Sequence, residues 1–314
     1  MNRIDRVAVC SRSFSRDPRL RAALLQRYEH VTFNDAGQSL AGDALVQFLA
    51  GHDKAITALE TIDAAILARL PQLKIIGKYG VGLDMIDLDA MRRHGKRLGW
   101  TGGVNRRSVA ELAVAFAIVM LHRVPEAARE VRSGTWRQLA GAQLSGRTVG
   151  IVGCGHVGRE VIRLLAPFRC RVLAHDIVEQ DAFYREHRVE AGGLDTLLAE
   201  ADVVTIHLPC DETTRGMFSA QRLRAMRTGS ILINLARGGI VDEAALCEVL
   251  VSGPLAAAAF DVFAQEPPID RALIDLPNFL ATPHIGGSAA EAIHAMGLAA
   301  IEGLEGPCCL EDAA

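Results

Sequence analysis

The sequence has few aromatic residues and almost no excess of charge of either sign. Aromatic residues occupy 5% of the 314 positions, whereas hydrophobic residues occupy 50% and charged residues 23%. A disordered chain carries fewer apolar residues and more net charge, so the composition excludes disorder and, at this length, predicts about two globular domains. The formal net charge of −3 gives no overall positive field. We therefore expect no nucleic-acid partner.

Long hydrophobic runs and paired cysteines are also absent from the sequence. The longest uncharged apolar run, Leu112–Leu121, has ten residues, and a membrane-spanning helix needs roughly 20. The first thirty residues contain Arg and Asp throughout and lack the apolar core of a signal peptide. The seven cysteines form an odd set without a CxxC pair. We therefore expect a cytoplasmic protein with reduced thiols, no membrane association and no metal site.

Short apolar runs alternate with segments of helical periodicity, a pattern typical of parallel sheets covered by helices. A long apolar helix is predicted over Ser108–His122, with Ser108 and Glu111 at the spacing of a capping box. A second alternation, with six predicted strands, begins at Thr148, and a final helix over Ser288–Leu304 is expected to return to the first domain. The predicted strands before the long helix are Val7–Cys10, His30–Phe33, Ala55–Ala58, Leu73–Ile76 and Arg97–Trp100.

A glycine-rich segment joins a predicted strand to a predicted helix in the middle of the chain. Thr148–Val152 leads into Gly153-Cys154-Gly155-His156-Val157-Gly158, which has the spacing of a dinucleotide-binding loop. In such a loop the first glycine permits a tight turn, the second lets the backbone approach a pyrophosphate, and the third lets the helix pack on the strand. The amides of His156 and Val157 can then face anionic oxygens, while the His156 side chain is expected to face solvent.

An acidic residue strengthens this interpretation, because the glycine spacing alone is weak evidence. Asp176 lies eighteen residues after Gly158, at the end of the next predicted strand. A carboxylate at this point accepts hydrogen bonds from the ribose hydroxyls of a dinucleotide. Ile177, and not an arginine, follows it, so a 2′-phosphate would meet an uncompensated negative charge. The sequence therefore predicts NAD rather than NADP.

Three charged residues stand just after predicted strands, where an open α/β sheet binds its ligands. They are Arg237 in Asn-Leu-Ala-Arg-Gly-Gly, Glu266 before Pro267, and His284 in Thr-Pro-His-Ile-Gly-Gly. Each also has an ordinary structural interpretation: Arg237 as a solvated turn residue, Glu266 as a surface carboxylate, and His284 as a capping or packed histidine. A loop position raises the chance of function without deciding it.

Together with the glycine loop, these residues resemble the NAD-dependent D-2-hydroxyacid dehydrogenases, in particular the phosphoglycerate dehydrogenase-like branch. The resemblance implies an α/β fold in which a Rossmann NAD-binding domain, residues 105–284, is inserted into a flavodoxin-like substrate domain. That substrate domain comprises residues 1–104 and a C-terminal helical segment, residues 285–314. The resemblance also implies a homodimer, in which the helix containing Leu112–Leu121 either contributes to the interface or packs inside the core.

The resemblance also implies a role for each site residue. Arg237 binds and polarises the substrate's carboxylate and keto oxygen, and its planar fork suits a carboxylate. His284 is the acid/base, because histidine exchanges a proton near neutral pH, and Glu266 orients it and favours its charged form. Further cofactor contacts are expected from Leu208, Pro209, Leu235 and Asp261, the last of these at the nicotinamide amide.

A second glycine-containing segment resembles the family's substrate loop. The amides of Gly80, Val81 and Gly82 are expected to hold the carboxylate of a small anionic 2-hydroxy or 2-keto acid. Lys78 and Arg12 are candidates for a second anionic group such as a phosphate, although Lys78 can also be read as an ordinary solvated side chain. Trp100-Thr101-Gly102-Gly103 departs from the usual turn of the family, so the sequence does not identify the substrate.

Two other functions remain open at the level of sequence. A glyoxylate or hydroxypyruvate reductase would use the same residues mainly in the direction of reduction. An NADH-sensing binding protein of the corepressor kind would share the fold and the three charged residues, because a fold alone does not fix a function.

Overall fold

The computed structural model describes residues 4–311, and the chain folds into two compact units. One, here called the five-stranded unit, comprises Met1–Asn105 with Ala289–Ala314, and the other, the seven-stranded unit, comprises Arg106–Ser288. The boundaries predicted from the sequence, 104/105 and 284/285, lie one and four residues from these positions. Residues 1–3 and 312–314 of the predicted domains lie outside the described residues.

The five-stranded unit is built on a parallel sheet whose order is β2-β1-β3-β4-β5. This is the order of the flavodoxin-like fold. Its central strand β3 is buried at all four positions, as expected for a parallel strand covered on both faces. The strands are β1 Arg6–Val9, β2 His30–Phe33, β3 Lys54–Thr57, β4 Ile75–Lys78 and β5 Arg97–Gly99, and the helices between them are α1 Arg12–Arg16, α2 Pro18–Leu25, α3 Gly42–Leu49, α4 Ala64–Ala68 and α5 Leu88–Arg93.

The seven-stranded unit has the strand order β12-β11-β10-β9-β6-β7-β8, which is the doubly wound Rossmann order with one further strand. The order reverses between β9 and β6, which is where such sheets bind ligands. The strands are β6 Thr148–Val152, β7 Arg171–His175, β8 Val189–Ala191, β9 Val203–Ile206, β10 Ile231–Asn234, β11 Ala257–Phe260 and β12 Phe279–Ala281. The helices are α6 Arg106–Leu121, α7 Val124–Arg132, α8 His156–Leu165, α9 Asp181–His187, α10 Leu194–Glu200, α11 Ala220–Ala225 and α12 Glu243–Ser252, with a 3₁₀ turn at Ala166–Phe168.

The last helix, α13 Ala290–Gly303, packs on β4 and β5 and so belongs to the five-stranded unit. Glycines make this contact possible. A Cβ atom at Gly77 would lie 2.5 Å from the Ala300 carbonyl oxygen, and one at Gly99 would overlap the backbone of Gly303. The expected Rossmann domain inserted into a flavodoxin-like domain is therefore the observed fold.

Two local predictions are wrong, and helix α7 is among the helices that were not predicted. Ser108 does not cap the long helix, because α6 begins at Arg106 and the Ser108 hydroxyl donates to the Gly286 carbonyl oxygen. The second sheet has seven strands and not six, since the short edge strand β8 carries no fully buried residue and so gives no apolar run. Helix α7 was missed for the same reason, as none of its residues is buried.

No single helix within residues 4–311 is long and apolar enough to cross a membrane. The bent pair α6 and α7 passes that test only by combined length and composition. Nor do three His, Cys, Asp or Glu side chains come together anywhere in this range as a metal site would require.

Candidate active site

The glycine loop has the backbone that a bound pyrophosphate requires. Gly153 adopts a φ of +94°, and a Cβ atom there would lie 2.6 Å from the His207 carbonyl oxygen and 2.8 Å from Leu208 Cδ2. A Cβ atom at Gly158 would overlap the Gly153 carbonyl oxygen. At Gly155 a Cβ atom would meet nothing within 4 Å. The first and third glycines are therefore required by the protein's own packing, whereas the second leaves open space where a ligand would approach.

Helix α8 begins directly after this loop, with Gly155 as its cap and no side chain capping its amides. His156 and Val157 occupy its first two positions, so their amides are among those at the helix N-terminus that have no acceptor within the helix. The His156 side chain is exposed, as predicted. Partial desolvation, followed by the positive charges of Arg159 and Arg106, lowers the pKa of His156.

Asp176 fixes the glycine loop from the next strand end. One oxygen accepts a hydrogen bond from the Cys154 amide, and the other accepts from the Val178 amide at 2.9 Å. A carboxylate has about four acceptor positions, so two remain for a ribose. The next residue, Ile177, is 93% exposed and uncharged, so it places no positive charge beside Asp176.

Glu266 and His284 form a hydrogen-bonded pair after strands β11 and β12. His284 Nδ1 lies 2.8 Å from Glu266 Oε2, while Glu266 Oε1 accepts from the Phe263 amide at 3.1 Å. The ring of His284 is half-exposed, with 52% of its side-chain surface accessible. Because Nδ1 is bound to the carboxylate, Nε2 is the atom left to exchange a proton with a substrate.

Asp261 holds the loop on which His284 lies. It is 2% exposed, and its carboxylate accepts from the Thr282 hydroxyl at 2.5 Å and from the Ile285 and Gly286 amides at 2.8 and 2.7 Å. Its backbone oxygen accepts from the His284 amide at 2.9 Å. His284 itself has a φ of 56°, a conformation that side-chain-bearing residues adopt only when their surroundings impose it. Three of the four acceptor positions of Asp261 are therefore used internally, which leaves one for the expected nicotinamide contact.

Arg237 is held by a buried asparagine that the sequence reasoning did not identify. Asn234, 1% exposed at the end of β10, accepts from the Ala236 amide and donates to the Arg237 carbonyl oxygen, both at 3.0 Å. A Cβ atom at Gly238 would overlap the Phe263 carbonyl oxygen, so the Arg237 loop packs directly on the loop that carries Glu266. The signal in the sequence was an asparagine closing an apolar strand three residues before the arginine.

A cavity of about 400 Å³ adjoins the Glu266 and His284 pair within the seven-stranded unit. Its walls are mainly apolar and come from the ends of β11 and β12. Among its lining residues are Asp261, Phe263, Pro267, Pro268, Ala281 and Pro283. Leu235 lies close to Asp261 and Gly286, since a Cβ atom at Gly286 would be 3.7 Å from Leu235 Cδ2 and 3.0 Å from Asp261 Oδ2. Pro209 is exposed after β9, beside Leu208.

The predicted substrate residues of the five-stranded unit lie at the carboxyl ends of β1 and β4. Arg12 is exposed in the first turn of α1. Lys78 is 5% exposed, and its ammonium donates to the Ala58 carbonyl oxygen and lies beside Gly80, so the interpretation as a solvated lysine is wrong. Val81 and Gly82 are partly exposed, and the Val81 carbonyl oxygen accepts from Trp100 Nε1 at 2.9 Å.

Residues 114–286 match the family model of the D-isomer specific 2-hydroxyacid dehydrogenases, NAD binding domain. The chain belongs to this family. The match confirms the family expected from the sequence and assigns an NAD-binding domain to most of the seven-stranded unit.

Individual relatives agree with this assignment. The chain is 40% identical over 239 residues to D-3-phosphoglycerate dehydrogenase of Archaeoglobus fulgidus, covering 74% of this chain and 44% of that protein. It is 36% identical over 271 residues to hydroxypyruvate reductase of Thermotoga maritima, covering 84% and 88%. The solved structure of the pyruvate reductase of Chlamydomonas reinhardtii superposes with a TM-score of 0.83 at 27% identity, covering 98% and 99%. The chain thus spans less than half the length of the phosphoglycerate dehydrogenase it matches.

Proposed function

We propose that this protein is an NAD-dependent oxidoreductase acting on a small anionic D-2-hydroxy acid or the corresponding 2-keto acid. The observation that carries the proposal is the 2.8 Å contact between His284 and Glu266, at the strand ends of the sheet that also bears the glycine loop. An acid/base of this kind is what interconversion of a hydroxyl and a keto group requires.

The glycine loop, Asp176 and the start of α8 would hold the cofactor, because Gly155 leaves open space at the helix terminus and Asp176 retains free acceptor positions. When bound, NAD supplies a hydride acceptor or donor. The carboxylate of Asp176 would accept from the ribose hydroxyls and repel a 2′-phosphate, which favours NAD over NADP.

The chain's own residues supply the proton chemistry. His284 would take the hydroxyl proton on Nε2 during oxidation and return it during reduction. The negative charge of Glu266 on Nδ1 stabilises the imidazolium that forms. The guanidinium of Arg237 would hold the substrate carboxylate and polarise the keto oxygen. We also propose that Gly80, Val81 and Gly82 contribute amides that bind the substrate carboxylate. Arg12 and Lys78 would bind a second anionic group of the substrate.

A panel of D-2-hydroxy acids with NAD, and of 2-keto acids with NADH, tests the proposal through the absorbance of NADH. The panel should include glyoxylate, hydroxypyruvate and a phosphorylated 2-keto acid. We expect turnover of at least one 2-keto acid and no turnover of the L-hydroxy acids. Tight NADH binding with no turnover across the panel would instead favour a binding protein.

Hydroxypyruvate reduction is the second candidate, and the extent of the match to the Thermotoga maritima relative favours it. That reductase matches 84% of this chain, whereas the Archaeoglobus fulgidus dehydrogenase matches 74%. If hydroxypyruvate is reduced with a higher kcat/KM than any phosphorylated acid, this alternative replaces the phosphoglycerate-like one.

A homodimer is also proposed, on the basis of apolar side chains around α7. Val124, Val131 and Trp136 are 45%, 54% and 87% exposed, and no residue of α7 is buried. The three residues lie within thirteen positions of the chain, and large apolar side chains that are exposed near one another mark interaction sites. Helix α6, by contrast, buries seven residues in the core of its own unit. Sedimentation of the wild type and of Trp136→Asp tests this proposal, since only the variant should contain monomer.

We also propose that the protein is located in the cytoplasm. All seven cysteines are free, and free thiols persist mainly in reducing compartments. Fractionation of cells that produce the full chain, followed by immunodetection, would place it in the soluble cytoplasmic fraction if the proposal holds.

A further inference from the structure

Glu243 reaches from one element of the seven-stranded unit to the loop that carries Glu266. It is the first residue of α12 and is partly buried. Its Oε1 accepts a hydrogen bond of 2.7 Å from the amide of Ala264. An acidic residue in a first helical turn is usually explained by the helix dipole. Here its carboxylate is instead engaged by a loop twenty-one residues further along the chain.

The start of α12 is a rigid support. The Asp242 side chain caps the helix by accepting from the Ala245 amide at 3.0 Å, and the Asp242 amide donates to the Phe218 carbonyl oxygen at 3.1 Å. The helix then buries Leu246 and Val249 in the core. Glu243 is thus attached to a part of the fold that is fixed by capping, pairing and burial.

The loop on the other side of this contact connects directly to the proposed acid/base. Glu266 Oε1 accepts from the Phe263 amide at 3.1 Å, and Glu266 Oε2 lies 2.8 Å from His284 Nδ1. Two carboxylates, Glu243 and Glu266, therefore bind the neighbouring amides of Ala264 and Phe263. Holding these amides fixes the start of the turn from which Glu266 extends.

The charged groups around this turn include Glu243 from α12, Glu266 itself and His284 after β12. They also include Asp261, whose carboxylate accepts from the amides that follow His284, and Arg237, whose loop packs on Phe263. Burial raises the pKa of Glu243, the Ala264 amide opposes that rise, and the negative charge of Glu266 adds to it. Each of the two carboxylates nevertheless accepts a hydrogen bond from an amide of this turn.

We propose that Glu243 is a positioning residue: by holding the Ala264 amide, it fixes the turn that places Glu266 against His284. The inference rests on the proposed function, because His284 acts as acid/base only there. A loosened turn would let the Glu266 carboxylate move from Nδ1, and the imidazolium would lose its stabilising charge.

Three substitutions separate this role from a contribution to stability alone. Glu243→Ala removes the acceptor, and we expect kcat to fall about tenfold with little change in KM, as for loss of a charge-assisted hydrogen bond. The acid limb of the pH profile should move to lower pH, in the same direction as in Glu266→Gln. Glu243→Gln keeps an acceptor oxygen and should retain most of the kcat. Glu248→Ala is the matched control, because Glu248 lies on the same helix, exposed and paired with Arg224 at 2.8 Å.

An NMR titration of the His284 imidazole in the full chain without substrate gives a readout that needs no turnover. In Glu243→Ala its midpoint should move to lower pH, and in Glu248→Ala it should not move. If the wild type turns over no hydroxy acid, the proposed function fails while this titration still tests Glu243. Should Glu243→Ala not fold, Glu243→Asp, whose carboxylate is one methylene shorter, should give the same shift. An unchanged pH profile and titration in a folded variant would overturn the proposal, even if its melting temperature falls.

Discussion

The carboxyl edges of the two sheets are constructed differently, although both sheets are parallel. In the seven-stranded unit, Asn234, Asp261 and Glu266 each accept backbone amides and so fix the loops around them. In the five-stranded unit, Arg12 is exposed, and Lys78 is turned toward a backbone carbonyl. The first edge is preorganised for one kind of chemistry. The second edge also contains side chains that bind amides, since Asn34 accepts from the Gln38 amide and Glu60 from the Ala58 amide. Arg12, however, is exposed there, and variation in substrate preference is expected at such a side chain.

The largest effect should come from His284 in the preorganised edge. We expect His284→Ala to lower kcat by ~10²- to 10⁴-fold, the usual consequence of losing a general acid/base. NADH affinity, measured by fluorescence, should stay within a few fold because the glycine loop is untouched. His122→Ala, at an exposed histidine of the same unit, is the control. Near-normal turnover in His284→Ala would remove this residue from the mechanism.

Asp176 provides the second test, of the cofactor. Asp176→Asn keeps an acceptor for the Cys154 or Val178 amide but removes the negative charge. We expect the preference for NAD over NADP, as a ratio of kcat/KM values, to fall roughly ten- to a hundredfold. Glu179→Gln, at an exposed carboxylate three residues away, should leave the ratio unchanged. A wild type that prefers NADP would refute the assignment of Asp176.

The carboxyl edge of the five-stranded unit provides the third test. If Arg12 binds a second anionic group, Arg12→Ala should lower kcat/KM roughly tenfold for a phosphorylated or dicarboxylic substrate and hardly at all for a monoanionic one. Arg16→Ala, on the same short helix, is the control.

Lys78→Met, which keeps the length of the side chain, applies the same test to the buried lysine. It should also lower kcat/KM mainly for the dianionic substrates. Equal losses on both substrate types would place Lys78 in the fold or in the common site.

The contrast between the two edges also explains what the sequence could predict. Apolar runs such as Lys54–Thr57 and Val203–Ile206 identify central strands, because both of their faces are covered. Edge elements such as Val189–Ala191 have too little burial to leave a pattern. The family resemblance predicted that Glu266 and His284 lie next to each other, and the structure places Glu266 Oε2 2.8 Å from His284 Nδ1. Their catalytic roles stay predictions.

The contacts of Asn234 and Glu243 were not predictable from the sequence. Each joins backbone amides whose position is set by tertiary packing and not by local spacing. The same reason explains why the sequence left open the alternative interpretation of Lys78 as a solvated side chain, although it is buried.

The smallest expected effect concerns two histidines, one from each unit: His52, which is buried, and His207, which is partly buried. His207 and His52 each have Nε2 beside a threonine hydroxyl, at 3.0 and 2.9 Å, and each has an Nδ1 without a partner among residues 4–311. Desolvation lowers the pKa of His207 to about 3 and, in the same direction, lowers that of His52. His207 is therefore neutral in the folded chain near pH 6, whereas the same histidine in the unfolded chain binds a proton below its ordinary pKa of about 6.5. For His52 the folded chain also disfavours the proton. Folding stability must then fall as the pH drops below about 6.5, because the unfolded state binds the extra protons.

For His207 this loss amounts to about 2 kcal/mol between pH 6.5 and 5, at 1.36 kcal/mol for each unit of pH over which only the unfolded state is protonated. Urea unfolding of the wild type and of His207→Gln at pH 7 and pH 5 measures it, since the variant should lose less stability between the two values. His52→Gln should differ from the wild type in the same direction. If the wild type and His207→Gln lose equal stability on acidification, the ring at position 207 is not held neutral, and the carboxyl edge of the seven-stranded unit is more open to water at this point than its contacts indicate.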